Sequence, residues 1–201
     1  MDDKTKIADA TYGSDLSGLK LDKNKTYGTN EIYFLEAQNI LKASLDYLGG
    51  VLDKKSASFD TDFFLKLHKE MFGDVWDWAG KVRIVELNFG VKAYLVSIEL
   101  KKLADDLDFW QSNKSFNPIE IATRLHHRAV VIHPFLNGNG RWSRMLANIY
   151  LKQNGLSATG WNENLLAKEN IHRDDYIQAL KQADNGDYEG LIKMQGNLVD
   201  E

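Results

Sequence analysis

The apolar stripe Ile121, Leu125, Ala129 and Ile132 falls at i, i+4, i+8 and i+11 and then runs into His133-Pro134; helical periodicity restarts at Trp142. Pro134 disfavours helical geometry at His133 and closes the first helix. Gly138 and Gly140 then let the backbone take positive φ in a tight turn before Trp142, Met145, Leu146, Ile149 and Tyr150 mark the next helix. Such a chain has to place a short, glycine-flanked turn between two helices. Everything else in the sequence is arranged around that turn.

The turn also concentrates chemistry. Glycines that bring backbone N–H groups forward, followed by the positive end of a helix, form a nest suited to an anion such as phosphate. Arg141 and Arg144, three apart on neighbouring helical positions, add forked, charge-assisted contacts. His133 stands just upstream, and an imidazole with an unperturbed pKa of about 6.5 can accept a proton from a hydroxyl near neutral pH. Together these residues point to nucleotide phosphate beside a general base, and hence to group transfer from a nucleotide. An ordinary Asn-Gly turn would not account for two arginines arriving at once on the following helix.

The flanking sequence predicts a mainly α fold. Residues 1 to about 30 are polar and glycine-punctuated, an irregular arm. Ile32, Leu35, Ile40, Leu41, Ala43, Leu45 and Leu48 recur at helical spacing until Gly49-Gly50. Ser58 or Asp60 caps a helix carrying Phe63, Phe64, Leu67, Met71 and Phe72, which Gly73 ends. An alternating stretch from Val82 to Val96 reads as one short β-hairpin or extended flap. Further helices are expected from Ile98 to Trp110, from Asn117-Pro118, and from about Asn170 to Ala183. These elements suggest one compact unit: an N-terminal arm and helix (1–58), a core (59–190) and a C-terminal tail (191–201). His126 and His133, seven apart, would share a face only on an unbroken helix. Pro134 therefore favours structural roles for His126 and His127 over metal ligation. The cluster Trp76, Trp78 and Trp110 reads as core packing, and Lys54-Lys55 and Lys101-Lys102 as solvated surface.

Composition narrows the setting. A net charge of −4 argues against broad nucleic-acid binding, which depends on neutralising many phosphates. With no cysteine there are no disulfides or thiolate metal sites, which favours the cytoplasm. No stretch approaches the roughly 18 apolar residues of a membrane span, and none reads as a signal sequence.

His133-Pro134-Phe135-Leu136-Asn137-Gly138-Asn139-Gly140-Arg141-Trp142-Ser143-Arg144 resembles the signature of Fic-domain proteins, His-Pro-Phe-x-(Asp/Glu)-Gly-Asn-Gly-Arg-x-x-Arg, at every fixed position but one. The likeness extends through Leu67-His68, through the tryptophan-rich run Phe72 to Arg83, and into Arg173 to Leu180. Leu125 to Arg128 with the Asn-Gly-Asn-Gly loop is similar to the subset called mobile mystery protein B.

The resemblance implies a Fic-type helical bundle with a flap. It implies that His133 takes the proton of a Tyr, Thr or Ser hydroxyl on a target protein, and that this oxygen attacks the α-phosphorus of ATP. Gly138, Asn139 and Gly140 would hold the phosphates, with Arg141 at the β/γ end and Arg144 supporting it; Phe135 would pin the loop. The flap near Glu86 to Tyr94 would align the target by strand addition. The departure is Asn137, where the family carries an acidic Mg²⁺ ligand; an amide offers a carbonyl oxygen without charge. A Doc-like protein kinase and an idle nucleotide-sensing module are the alternatives. The family's inhibitory helix, (Ser/Thr)-x-x-x-Glu-(Gly/Asn), has a string match at Thr159 to Asn164, but after the motif helix, where that helix does not usually lie. The string is therefore read as coincidence, and Glu31 and Glu36 are candidates by position alone. The resemblance thus leaves Arg144 restrained by Glu31, Glu36 or Glu163, or by a separate antitoxin.

Overall fold

A computed structural model describes residues 17–21, 27–49, 56–166 and 171–197. Most of the N-terminal arm, Lys54-Lys55 and the last four residues lie outside them.

The helices are α1 (Thr29–Leu48), α2 (Thr61–Phe72), α3 (Val96–Ser112), α4 (Pro118–Ile132), α5 (Asn139–Gln153), α6 (Glu163–Leu166), α7 (Ile171–Asp184) and α8 (Glu189–Asn197). Local chemistry sets the boundaries. The Asp60 carboxylate accepts from Phe63 N–H at 2.7 Å to start α2, and Asn117 accepts from Glu120 N–H at 3.0 Å to start α4, with Pro118 at its first position. The Phe63 N–H bond also holds the Asp60 carboxyl below its ordinary range.

The consecutive helices α4 and α5 pack directly on each other at the centre. From Trp142 to Leu151 every residue of α5 is buried, so it is surrounded rather than laid on a surface. It meets α1 and α2, while α3 packs against α4. Phe64, Leu67, Phe72, Leu103, Leu125, Phe135, Trp142 and Leu146 form the main core. A second cluster, Leu166, Tyr176, Ala179, Ala183 and Leu191, joins α6, α7 and α8, and α8 lies on α4. Residues 191–197, within the stretch expected to be a tail, belong to α8, and Leu191 is fully covered.

The expected β-hairpin over 82–96 is not formed; the interval is irregular and ends in a 3₁₀ turn at Ala93–Leu95. Arg83 gives the physical reason. Its guanidinium donates to the carbonyls of Val85 (2.9 Å) and Val91, so a side chain between the limbs takes acceptors that a ladder would have used. Trp76 and Trp78 stack at 5.2 Å, but Trp110 pairs instead with Phe116. Among the described residues no helix is long and apolar enough to cross a membrane.

Candidate active site

His133 caps α4 with φ 51° and ψ 61°, a left-handed conformation that a non-glycine residue holds at a cost of about 1–3 kcal/mol and only when its surroundings fix it. Its N–H donates to Ala129 O at 3.2 Å, and its carbonyl accepts from Arg83 Nε at 2.7 Å. The ring stands edge-on to Phe89, with centroids 5.3 Å apart. His133, Gly140, Arg144 and Tyr176 share a cavity of about 220 Å³ with Leu87 to Phe89 of the loop. The His133 imidazole, the glycine turn and the Arg144 guanidinium therefore line one space.

The turn is braced from beneath. Phe135 is fully buried, stacked on His68 at 3.6 Å and edge-on to Trp142 at 5.0 Å. His68 Nδ1 accepts from Gly80 N–H at 2.9 Å, which leaves Nε2 to donate to Asn137 O at 3.0 Å. Burial pushes the His68 pKa down to about 3, so the ring is neutral and that tautomer persists. Gly138 takes φ +78° against Phe72; an added Cβ would lie 2.6 Å from that ring.

The loop side chains divide by direction. Asn139 turns inward: its amide accepts from Phe135 N–H and donates to Phe135 O, both at 2.9 Å, so its side chain clamps the loop. Asn137 Oδ1 accepts from Gly138 N–H at 2.6 Å.

Both motif arginines meet carboxylates. Arg141 donates to Glu36 Oε2 at 2.6 Å and lies over the Phe72 ring; Glu36, 1% exposed, also accepts from Trp76 Nε1 at 2.5 Å. Arg144 makes a forked pair with Glu163, with Nε to Oε1 at 2.8 Å and Nη2 to Oε2. The string set aside as coincidence is therefore the one whose glutamate reaches Arg144, whereas Glu36 reaches Arg141. Thr159 explains the reach. Asn148 of α5 donates to Thr159 O and accepts from its N–H, both at 2.9 Å, and Thr159 Oγ1 donates to Gln195 O at 2.7 Å. The segment carrying Glu163 is thus fastened alongside Arg144.

Sequence reasoning missed Arg83 and the role of Trp76. His126 and His127 have structural partners: His126 Nε2 lies 2.9 Å from Tyr176 Oη, and His127 Nε2 lies 2.9 Å from Asp184. Burial pushes His126 down to about 3 and lowers His127.

Residues 58–151 match the Fic/DOC family. The chain is 29% identical over 157 residues to the protein adenylyltransferase Fic of Nematostella vectensis, covering 76% of this chain and 35% of the relative. It is 30% identical over 159 residues to protein adenylyltransferase fic-1 of Caenorhabditis briggsae, covering 76% and 30%. It thus spans about a third of the length of the curated relatives it matches. Among solved structures it resembles Fic-1 of C. elegans (TM-score 0.69, 22% identity, 92% of this chain and 57% of that one). It also resembles the BepC protein of Bartonella tribocorum with bound AMPPNP (TM-score 0.65, 17% identity, 90% and 93%).

Proposed function

The chain belongs to the Fic/DOC family, and from that premise we propose that it transfers AMP from ATP to a Tyr, Thr or Ser hydroxyl of a target protein. The supporting observation is the shared cavity of His133, Gly140 and Arg144. His133 takes the hydroxyl proton as the oxygen attacks the α-phosphorus; a new P–O bond forms, the bond to the β-phosphate oxygen breaks, and pyrophosphate leaves. At the start of α5 the N–H groups of Asn139 and Gly140 would hold the phosphates, Gly138 N–H being taken by Asn137 Oδ1. Arg141 and Arg144 balance charge that builds on the leaving group.

Mg²⁺ does not fit as an ion held by these side chains. The loop offers one amide oxygen, Asn137 Oδ1, already accepting from Gly138 N–H, and among the described residues no group of three or more His, Cys, Asp or Glu could hold a metal ion. Any Mg²⁺ would therefore be held chiefly by triphosphate oxygens, with Asn137 Oδ1 as the one side-chain oxygen of the loop.

In this reading Glu163 is the internal restraint. It occupies the guanidinium fork of Arg144 that an anionic phosphate would otherwise use, a role a separate antitoxin would fill from outside. The cysteine-free sequence supports a cytoplasmic setting. A second reading, a nucleotide-sensing module, draws on the Arg141–Glu36 pair: a carboxylate so deeply buried is not readily displaced.

Incubating the protein with cell lysate and ATP labelled at the α or the γ phosphate decides among them. Transfer of α-label is expected, abolished in His133→Ala. Transfer of γ-label would identify a Doc-like kinase, and no transfer by either the wild type or a Glu163→Gly variant would identify the sensing module.

A further inference from the structure

Arg83 is 2% exposed, yet it carries a charge that burial alone would not tolerate. It is kept there by spending its guanidinium on three main-chain carbonyls: Nε on His133, Nη1 on Val85 and Nη2 on Val91. Its own N–H donates to Pro134 O at 2.9 Å, and Val91 N–H reaches Ile132 O at 3.4 Å. Arg83 thereby ties the carbonyls of His133 and Pro134 to both limbs of the 85–91 loop, and Val91 N–H ties the carbonyl of Ile132 that precedes the proposed base. The loop comes close as a result. At Gly90, with φ +105°, an added Cβ would lie 2.6 Å from His133 Cβ and 2.8 Å from Arg83 Nη2.

Two facts separate this from ordinary bracing. The left-handed backbone of His133 has to be held by its surroundings, and Arg83 Nε is the donor on the carbonyl of that same residue. The limbs it gathers, Leu87 to Phe89 between them, wall the cavity that His133 faces. A planar fork can serve several carbonyls at once; a lysine ammonium supplies the charge but not the fixed fan of donors.

We infer that Arg83 is a positioning residue: it fixes the main chain of His133 and the loop over it as one unit, so that an entering hydroxyl meets the imidazole in a single geometry. This rests on the reading of His133 as the base.

The test compares wild type, Arg83→Met, Arg83→Lys and Gly90→Ala, which keeps the guanidinium in the chain but sets a Cβ against both it and His133 and so forces the loop away. Three measurements are made on each: AMPPNP affinity by calorimetry, initial transfer of α-label from saturating ATP to lysate proteins, and the His133 ring Hε1 NMR signal, assigned by its loss in His133→Ala. Arg83→Met and Gly90→Ala are expected to bind AMPPNP within about twofold of wild type, to lose at least tenfold in transfer, and to broaden or split the His133 signal. Arg83→Lys should recover part of both. Transfer and ring signal unchanged in Arg83→Met and Gly90→Ala would overturn the inference, as would a loss of transfer matched by an equal loss of AMPPNP affinity. Wild type that transfers no α-label would sink the functional reading instead, and the ring signal would still decide the coupling. If Arg83→Met does not fold, Arg83→Lys and Gly90→Ala carry the same comparison.

Discussion

Arg144 and Glu163 face each other through two parallel hydrogen bonds, with the arginine side chain 5% exposed and the glutamate 43% exposed. The pair is thus anchored on one side and open on the other. Glu163 can swing outward while its segment stays in place, because Thr159 and Asn148, rather than the glutamate, hold that segment down. Glu163→Gly is expected to raise transfer of α-label at least tenfold, with a smaller loss of melting temperature than Glu36→Gly because the glutamate itself is half open to solvent. Glu36→Gly should behave differently: it strands the donors of Arg141 and Trp76 in a buried place and should lower stability by about 3–5 kcal/mol. Melting curves run beside label transfer separate the two, and equal effects of the two substitutions would refute this division of roles.

Asn137→Asp tests whether the turn can be made to respond to Mg²⁺. Replacing the Asn137 amide by a carboxylate would place negative charge against Gly138 N–H, beside a bound triphosphate. AMPPNP affinity of this variant should fall several-fold without Mg²⁺ and recover when Mg²⁺ is added, whereas wild type should respond less. Calorimetry with and without Mg²⁺ checks it; identical Mg²⁺ dependence in the two proteins contradicts it.

Acid should unfold this protein early. His68 and His126 both have folded pKa values pushed down to about 3 by burial, against an ordinary value of 6.5. Between those limits the unfolded chain takes up protons that the folded chain refuses, so stability is complete above about pH 6.5 and declines as pH falls toward 3. Each histidine contributes on the order of 1 kcal/mol per pH unit lost in that window. Urea unfolding at pH 7 and pH 5.5 should show the loss, and His68→Phe should flatten its slope. An unchanged midpoint at the lower pH would rule this out.

Phe135 should matter more than its distance from the cavity suggests. Truncation in Phe135→Ala removes the ring stacked on His68 and packed on Trp142, at a cost of about 3–5 kcal/mol. Because the same residue's backbone is held by Asn139, AMPPNP affinity is expected to fall along with stability. Loss of stability with full nucleotide affinity would show that the turn does not depend on this floor.

The helices were legible because their apolar spacing and their caps, Asp60, Asn117 and Pro118, agree. The turn between α4 and α5 was legible because Pro134, Gly138 and Gly140 sit in one short run. The 82–96 interval misled because alternation reports which faces are apolar, whereas the missing ladder depends on where the Arg83 side chain goes. Glu163 was underrated for a related reason: the string was visible, but its nearness to Arg144 comes from Asn148 fastening Thr159, a contact between separate elements. Asn139 shows the limit within the motif itself, since no spacing rule says that its side chain faces inward. The α8 helix carries Gly190 and Gly196 and only a short apolar pattern, so packing on α4 decides it.

The burial of Glu36 bears on where this folding unit begins and ends. The family match starts at residue 58 and stops at residue 151, yet Trp76 and Arg141, both inside it, find their acceptor on α1, and His126 and His127 find Tyr176 and Asp184 on α7. A fragment cut to the matched residues would expose a polar seam on two sides. The turn between α4 and α5 therefore leans on α1 and α7, and a chain cut to residues 58–151 is expected to melt below the full 201 residues.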